Sequence, residues 1–88
     1  MDKERLKGKN VLITGAAQGM GAAIAEHYCA QGAKVCITDV NLDGCKEVED
    51  RIRSSGGEAI SCKLDVRKRE DHVAAVKATV EAFGSLNV

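Results

Sequence analysis

Short apolar runs alternate along this chain with longer segments in which apolar residues recur at helical spacing. Residues 11–13, 35–38 and 59–62 form the short, largely apolar runs. Runs of this length are typical of strands that are buried on both faces of a sheet. The pattern therefore predicts strands over residues 9–14, 35–38 and 58–64.

The first predicted helix, about ten residues long, follows a glycine-rich turn over residues 15–21. Its apolar stripe contains Ile24, Ala25 and Tyr28, which recur every three or four positions as the buried side of a helix does. Gly32 is well placed to end it, because glycine readily adopts the backbone conformation found just after a helix.

The second predicted helix begins at Asn41, whose short polar side chain is a favoured N-cap. It ends at the two glycines of residues 56–57. Charged residues occupy most of its surface, and the apolar positions share one face. Those positions are Leu42, Cys45, Val48 and Ile52.

The third predicted helix covers residues 68–83 and ends at Gly84, after which residues 86–88 begin a fourth strand. Arg67 stands where a serine or threonine N-cap is common, so we expect the start of this helix to fray, although Glu70 would suit a capping box. We expect one apolar stripe of the helix to be buried. It consists of Val73, Val76, Val80 and Phe83.

Strands that alternate with helices in this way form a parallel sheet with right-handed connections. The order β-α-β-α-β-α-β predicts an α/β, doubly wound sheet in which the fourth strand lies beside the first. The third helix would then cover the face opposite the first two. We expect residues 1–88 to be a single domain that stops within its fourth strand.

The turn between the first strand and the first helix carries the candidate chemistry. Its sequence, T-G-A-A-Q-G-M-G over residues 14–21, has three glycines. Gly15 allows a sharp exit from the strand, and Gly19 and Gly21 allow a phosphate to approach the backbone and the helix to pack closely. Free N–H groups at the helix start would bind the phosphate oxygens. A purely structural turn is the alternative; a P-loop and the G-x-G-x-x-G pattern do not match.

The pattern T-G-x-x-x-G-x-G closely resembles the turn of the short-chain dehydrogenase/reductase family. The resemblance extends from residues 8–15 through residues 32–35 and 64–66 to residues 83–88. It implies a Rossmann-like fold that binds a nicotinamide dinucleotide. It also implies that the pyrophosphate and the nicotinamide side of the cofactor lie against a set of turn residues, in which methionine replaces the usual isoleucine or leucine. These are Thr14, Gly15, Gly19, Met20 and Gly21. Gln18, in the same turn, is also predicted to be a cofactor-binding residue.

Asp39, eighteen residues after Gly21, ends the second strand. A carboxylate there can accept hydrogen bonds from the adenosine ribose and would repel a 2′-phosphate. Members of the family that bind NADP usually place Arg or Lys where this chain has the neutral Gln18 and Val40. The prediction is therefore NAD as cofactor, with a simple strand-end or capping role for Asp39 as the alternative.

Asp65 and Val66 follow the third strand and resemble the family pair that borders the adenine ring. The resemblance implies that the Asp65 carboxylate reaches the exocyclic amine and that the Val66 backbone lies alongside. The alternative is an aspartate that serves the start of the third helix.

The amino-acid composition restricts the possible binding partners and the cellular location. Thirteen basic and thirteen acidic side chains cancel, so there is no electrostatic reason to expect nucleic acid or an anionic membrane. No apolar run approaches the ~20 residues that span a bilayer, and the charged residues 1–5 do not suit a signal peptide. A cytoplasmic location follows by default. The four cysteines lack metal-ligand spacing and are expected to be small buried hydrophobes.

The resemblance also implies what this chain lacks. Members of the family transfer hydride with the help of a tyrosine, a lysine, a serine and an asparagine. The family's Asn-Asn-Ala-Gly and Tyr-x-x-x-Lys stretches are not present in these 88 residues. Tyr28 is followed by Gly32 at the fourth position and is expected in the core, and His27 and His72 on the surface. We therefore predict no catalytic and no metal-binding residue.

The resulting hypothesis is the NAD(H)-binding N-terminal part of an oxidoreductase that acts on an alcohol/ketone pair, inactive as 88 residues alone. The alternatives are a non-catalytic nucleotide-binding fragment or truncated isoform, and the product of an interrupted reading frame. Homo-oligomers are expected only of the complete protein, whose substrate stays undetermined. Because so short a chain buries little surface, we expect it to be poorly soluble or to self-associate.

Overall fold

In a computed structural model, residues 7–87 form a three-stranded parallel sheet with helices on both faces. Residues 1–6, where the charged start falls, and Val88 lie outside the described residues. The predicted alternation of strands and helices is confirmed, with ends that shift by a few residues. The elements are β1 Asn10–Ile13, α1 Gly19–Ala30, β2 Lys34–Asp39, α2 Leu42–Ser54, β3 Glu58–Lys63 and α3 Arg69–Phe83.

The middle strand, β2, pairs with β1 on one side and β3 on the other, so its side chains are covered on both faces. Val35 and Ile37 point into the core that α1 and α2 share. Cys36 points to the opposite face, where its thiol lies near Thr79 of α3. The predicted crossing of the third helix to the other face of the sheet is therefore confirmed.

Helix α2 follows its sequence pattern closely. The Asn41 side chain caps it, with Oδ1 accepting a hydrogen bond from the Gly44 N–H at 3.0 Å. Cys45, Val48 and Ile52 are buried, and Leu42 is half-buried against the same core. A strongly amphipathic helix presents only one apolar face, which is why its orientation is readable in the sequence.

Helix α1 contacts the core through small side chains. Ala25 is fully buried and Tyr28 is half-buried against the core, as expected. Ile24 is 39% exposed, so its place in the predicted stripe is wrong. The helix instead buries Ala22, three residues before Ala25, so its buried side consists of alanines.

Helix α3 differs most from its predicted packing. Val73, Val76 and Val80 are 60%, 42% and 41% exposed, so the expected buried stripe is wrong for these three valines. The helix meets the sheet through Ala75 and Thr79, which are almost completely buried. Small side chains bring the helix backbone close to the strands, and this rotates the valines about a quarter of a turn away from the sheet.

The start of α3 is held in an unexpected way. Lys68 provides no side-chain cap, and the capping box expected of Glu70 does not form. The Lys68 N–H instead donates to the Asp65 carbonyl at 2.9 Å, and the Asp71 carboxylate accepts from the Asp65 N–H at 2.9 Å. The helix therefore packs its first turn against the chain that leaves β3.

The chain after α3 returns to the free edge of β1. The Asn87 N–H donates to the Asn10 carbonyl at 2.9 Å, and the Asn10 N–H donates to Asn87 Oδ1 at 2.8 Å. Both backbone groups of Asn10 face away from β2, because the neighbouring Lys9 carbonyl is the one that accepts from Lys34. The described end of the predicted fourth strand thus lies beside the first.

Candidate functional site

The turn between β1 and α1 has an open backbone surface. Gly15 and Gly19 both have φ +63°, a conformation that side chains disfavour, and a Cβ atom on either would have no heavy atom within 4 Å. Thr14, Gly15, Gln18, Gly19 and Met20 are all exposed, with Met20 at 80%. A ligand can therefore approach the backbone of the turn directly.

Gly21 has a different role from the other two glycines. A Cβ atom there would lie 2.2 Å from the Gly15 carbonyl oxygen and 2.9 Å from its carbon. Distances this short are impossible between backbone atoms and a methyl group. The absence of a side chain at Gly21 is thus what lets α1 start against the turn.

Two backbone amides of the turn donate hydrogen bonds to residues of β2. The Ala16 N–H donates to the Thr38 carbonyl at 3.0 Å, and the Ala17 N–H donates to Asp39 Oδ2 at 3.2 Å. At the helix start, Gln18 makes no side-chain cap and the first turn contains no acidic residue. The first-turn N–H groups of α1 have no partner within the helix. Gly19 and Met20, which carry the first of them, are exposed.

Asp39 joins the turn to the start of α2. Its second carboxylate oxygen, Oδ1, accepts from the Asn41 N–H at 3.1 Å. Each carboxylate oxygen can accept about two hydrogen bonds, so one acceptor position on each oxygen remains. Val40, next to it, is 57% exposed.

Asp65 follows β3 at the same edge of the sheet and is bound by Arg67. The guanidinium donates from Nε to Oδ1 at 3.0 Å and from Nη2 to Oδ2 at 2.9 Å. These hydrogen bonds, with a third from the Arg67 backbone N–H, lower the pKa of the Asp65 carboxyl to about 2. In the sequence, Arg67 indicates only a poorly capped helix start; its position two residues after an aspartate is the signal for this contact.

The predicted site residues meet along one edge of the sheet. The turn follows β1, Asp39 is the last residue of β2 with Val40 next to it, and Asp65 and Val66 follow shortly after β3. All of them lie at the carboxyl ends of the strands. The in-register pairs of Ile13 with Ile37 and of Asp39 with Lys63 bring those ends side by side. Ligands of doubly wound sheets bind outside this edge.

A groove of about 330 Å³ leads from the turn between the starts of α1 and α2. Gln18, Asn41 and the carboxylates of Glu26 and Glu47 line it. Arg51, which also lines it, binds Glu26 at 3.0 Å. A second groove of about 240 Å³, between the far ends of the same helices, contains none of the predicted site residues.

The four cysteines are free thiols. Cys36 and Cys45 are buried as expected, whereas Cys29 and Cys62 are half-buried. Burial raises the pKa of Cys36 to about 12, and of Cys29 and Cys45 to about 11. These three thiols stay protonated at neutral pH and are poor nucleophiles there.

His27 and His72 are exposed, as expected. Nε2 of His72 lies 3.0 Å from the Val66 carbonyl oxygen. Within residues 7–87, no three His, Cys, Asp or Glu side chains are grouped so that they could hold a metal ion. In the same range, none of the helices has the length and apolarity needed to cross a bilayer.

Comparison with known proteins agrees with this architecture. The short chain dehydrogenase family matches residues 9–88, almost the entire chain. The chain therefore belongs to the short-chain dehydrogenase family, in agreement with the resemblance of its glycine-rich turn. Proteins of this family and fold generally bind a nicotinamide cofactor.

Two relatives illustrate the range of the family. The chain is 48% identical over 82 residues to a 2,5-dichloro-2,5-cyclohexadiene-1,4-diol dehydrogenase of Sphingobium indicum, covering 93% of this chain and 33% of the relative. It is 33% identical over 87 residues to the 7alpha-hydroxysteroid dehydrogenase of Escherichia coli, covering 99% of this chain and 34% of the relative.

Solved structures show the same fold. A hydroxysteroid dehydrogenase from Escherichia coli superposes with a TM-score of 0.93 at 34% identity, over 98% of this chain and 37% of the other. A short chain dehydrogenase from Mycobacterium smegmatis gives 0.90 at 35% identity, over 96% and 36%. The chain spans about a third of the length of the curated relatives it matches.

Proposed function

We propose that this chain binds NAD along the carboxyl edge of its sheet, as the cofactor-binding part of an oxidoreductase that acts on an alcohol/ketone pair. The observation that carries the proposal is the hydrogen bond of Asp39 to the Ala17 amide. It holds the carboxylate that we propose for the ribose beside a turn whose helix start has no side-chain cap. A dinucleotide needs a carboxylate for its ribose and a turn for its pyrophosphate close to each other.

The turn fits a pyrophosphate. Its exposed residues Thr14 and Gly15, together with Gln18, Gly19 and Met20 at the start of α1, surround open space, and Gly21 keeps the helix close. Backbone N–H groups and the positive end of the helix dipole favour an anion there. The turn provides no basic side chain, so the binding would depend on the backbone.

Asp39 supports NAD over NADP. Its two unused acceptor positions suit the two ribose hydroxyls, and its negative charge opposes a 2′-phosphate. The groove beside it offers no compensating cation, because Arg51 is paired with Glu26 and Gln18 and Val40 are neutral. Exposed Val40 provides an apolar contact at the same place.

In this proposal the adenine ring extends from the ribose at Asp39 towards Asp65 and Val66, at the end of the neighbouring strand. The Asp65 carboxylate provides an acceptor for the exocyclic amine, and Val66, 62% exposed, offers its backbone and an apolar side chain. When bound, the cofactor supplies or takes up the hydride. The residues of this chain would bind and orient it, and we assign none of them a role in proton transfer.

Titration calorimetry of the full chain with NAD and NADP tests this function. We expect NAD to bind more tightly, and Asp39→Asn to reduce the preference by about tenfold, since a charge-assisted hydrogen bond contributes roughly 1.5–3 kcal/mol. Asp50→Asn, an exposed acid on the far part of α2, is the matched control and should change neither affinity. Tighter binding of NADP by the unmodified chain would refute the choice of cofactor, and binding of neither would refute the site.

A further inference from the structure

Arg67 holds the Asp65 carboxylate in one orientation. Its guanidinium makes two parallel hydrogen bonds of 3.0 and 2.9 Å to the two carboxylate oxygens, and its own backbone N–H adds a third at 3.0 Å to Oδ1. A paired contact of this kind fixes the plane of both groups. The Asp65 side chain is 15% exposed, and that of Arg67 is 85% exposed.

The backbone beneath this pair is also restrained. The Asp65 N–H donates to the Asp71 carboxylate at 2.9 Å, and the Asp65 carbonyl accepts from the Lys68 N–H at 2.9 Å. Asp65 is therefore held by its amide, its carbonyl and its side chain. Arg67 controls the last of these three.

The three hydrogen bonds leave one acceptor position on the carboxylate. Two carboxylate oxygens accept about four hydrogen bonds, of which Oδ1 here uses two and Oδ2 one. The remaining position, on Oδ2, suits a single N–H donor. A ligand atom with lone pairs and no hydrogen would meet the carboxylate unfavourably.

We propose that Arg67 is a positioning residue that gives this site its selectivity for adenine, by aiming the free acceptor position of Asp65 at the exocyclic amine of the base. This inference rests on the proposed function, since it concerns the adenine end of the same cofactor. Hypoxanthine carries an oxygen in place of that amine and is disfavoured by the aimed carboxylate. Selectivity for the base thus depends on a side chain that need not touch it.

The experiment compares NAD with nicotinamide hypoxanthine dinucleotide by titration calorimetry of the full chain. The unmodified chain should prefer NAD by about tenfold or more. Arg67→Gln should reduce that preference by about three- to tenfold, through weaker binding of NAD alone. The matched control, Arg69→Gln, removes an exposed arginine at the start of α3 that does not bind Asp65 and should leave the preference unchanged.

Arg67→Lys separates charge from geometry. An ammonium keeps the positive charge and cannot make the paired contact, so we expect only part of the preference to return. Complete recovery with lysine would contradict the positioning role. An unchanged preference in Arg67→Gln would also overturn it, and a rise would show that Arg67 competes with adenine for Asp65.

A titration of the Asp65 carboxyl carbon by NMR provides an independent readout. In the unmodified chain its pKa lies at about 2, and in Arg67→Gln it should move towards the ordinary 3.8. A pKa that does not move would show that Arg67 does not hold the carboxylate in solution. If the unmodified chain binds neither dinucleotide, the proposed function fails, whereas equal binding of the two overturns this inference alone.

Discussion

The three glycines of the turn have different structural roles, although they are the same residue type. Gly15 and Gly19 supply a backbone conformation with positive φ, whereas Gly21 supplies space for the Gly15 carbonyl. The pattern of three glycines predicts the turn and does not distinguish these roles. Only the distances within the folded chain assign them.

Gly21→Ala should therefore impair binding as well as stability. The new methyl group would force α1 away from the turn, at a cost of about 1–3 kcal/mol in the free energy of unfolding. The displaced helix start would no longer present its N–H groups, so we expect NAD binding to fall at least tenfold. Urea unfolding and calorimetry measure the two effects.

Gly56→Ala is the control for this substitution. Gly56 has φ +90° and lies after α2, far from the turn, so alanine should cost about 1–2 kcal/mol through backbone strain alone. The stability of Gly56→Ala should fall about as much as that of Gly21→Ala, whereas its NAD binding should be unchanged. If both variants lose binding equally, the turn has no special sensitivity.

Single residues also show where pattern-based inference ends. Asp39 and Asp65 are predictable, because one ends and the other follows a strand that the apolar pattern defines. The hydrogen bonds between Arg67 and Asp65 are harder to predict. A side chain two positions away can reach Asp65 because the chain bends after β3. Such a contact depends on local backbone geometry that composition does not specify.

The buried face of a helix is easiest to predict when its apolar and polar residues are clearly separated on opposite faces. Helix α2 has one apolar face, and every position assigned to that face is buried or half-buried. In α1 and α3 apolar residues are spread around the helix, and the sheet contacts alanine and threonine instead of the larger side chains. Close approach of a helix to a sheet favours small residues, which periodicity of large apolar residues does not detect.

The segment after α3 depends on one side chain of β1. Nδ2 of Asn10, which is 6% exposed, donates to the Ser85 carbonyl and hydroxyl oxygens at 3.1 and 2.9 Å. Asn10→Ala removes both hydrogen bonds, which together contribute about 1–3 kcal/mol. We expect the Asn87 amide to exchange with deuterium more than tenfold faster.

The control for Asn10 is a second asparagine with a different task. Asn41→Ala removes the cap of α2 and should cost about 1 kcal/mol without changing exchange at Asn87. Equal exchange at Asn87 in both variants would show that the hydrogen bonds of Asn10 do not hold the segment.

At the scale of the whole molecule, we expect the exposed valines of α3 to promote association between chains. Val73, Val76 and Val80 form an apolar stripe on the surface of α3. Among residues 7–87, the outer edge of β1 is covered only by the short segment around Asn87. Apolar stripes and unpaired strand edges both favour association. These features agree with the expectation that the 88 residues alone self-associate.

Replacing all three valines with glutamine should make these 88 residues more monomeric when expressed alone. Sedimentation velocity measures the change, and a control that replaces exposed Ala74 on the solvent side of α3 should leave association as it was. A monodisperse monomer with a sharp thermal transition in the unmodified chain would contradict the prediction.

The order of elements, the parallel sheet and the edge that carries the candidate site all follow from the sequence. Apolar runs, glycines and strand-end carboxylates are local signals, and the connection rules for parallel strands convert them into a topology. The rotation of α3, the burial of Ala75 over Val76, the packing role of Gly21 and the Arg67–Asp65 contact do not follow in this way. Each depends on how closely two separate backbones approach, and that distance exists only once the chain has folded.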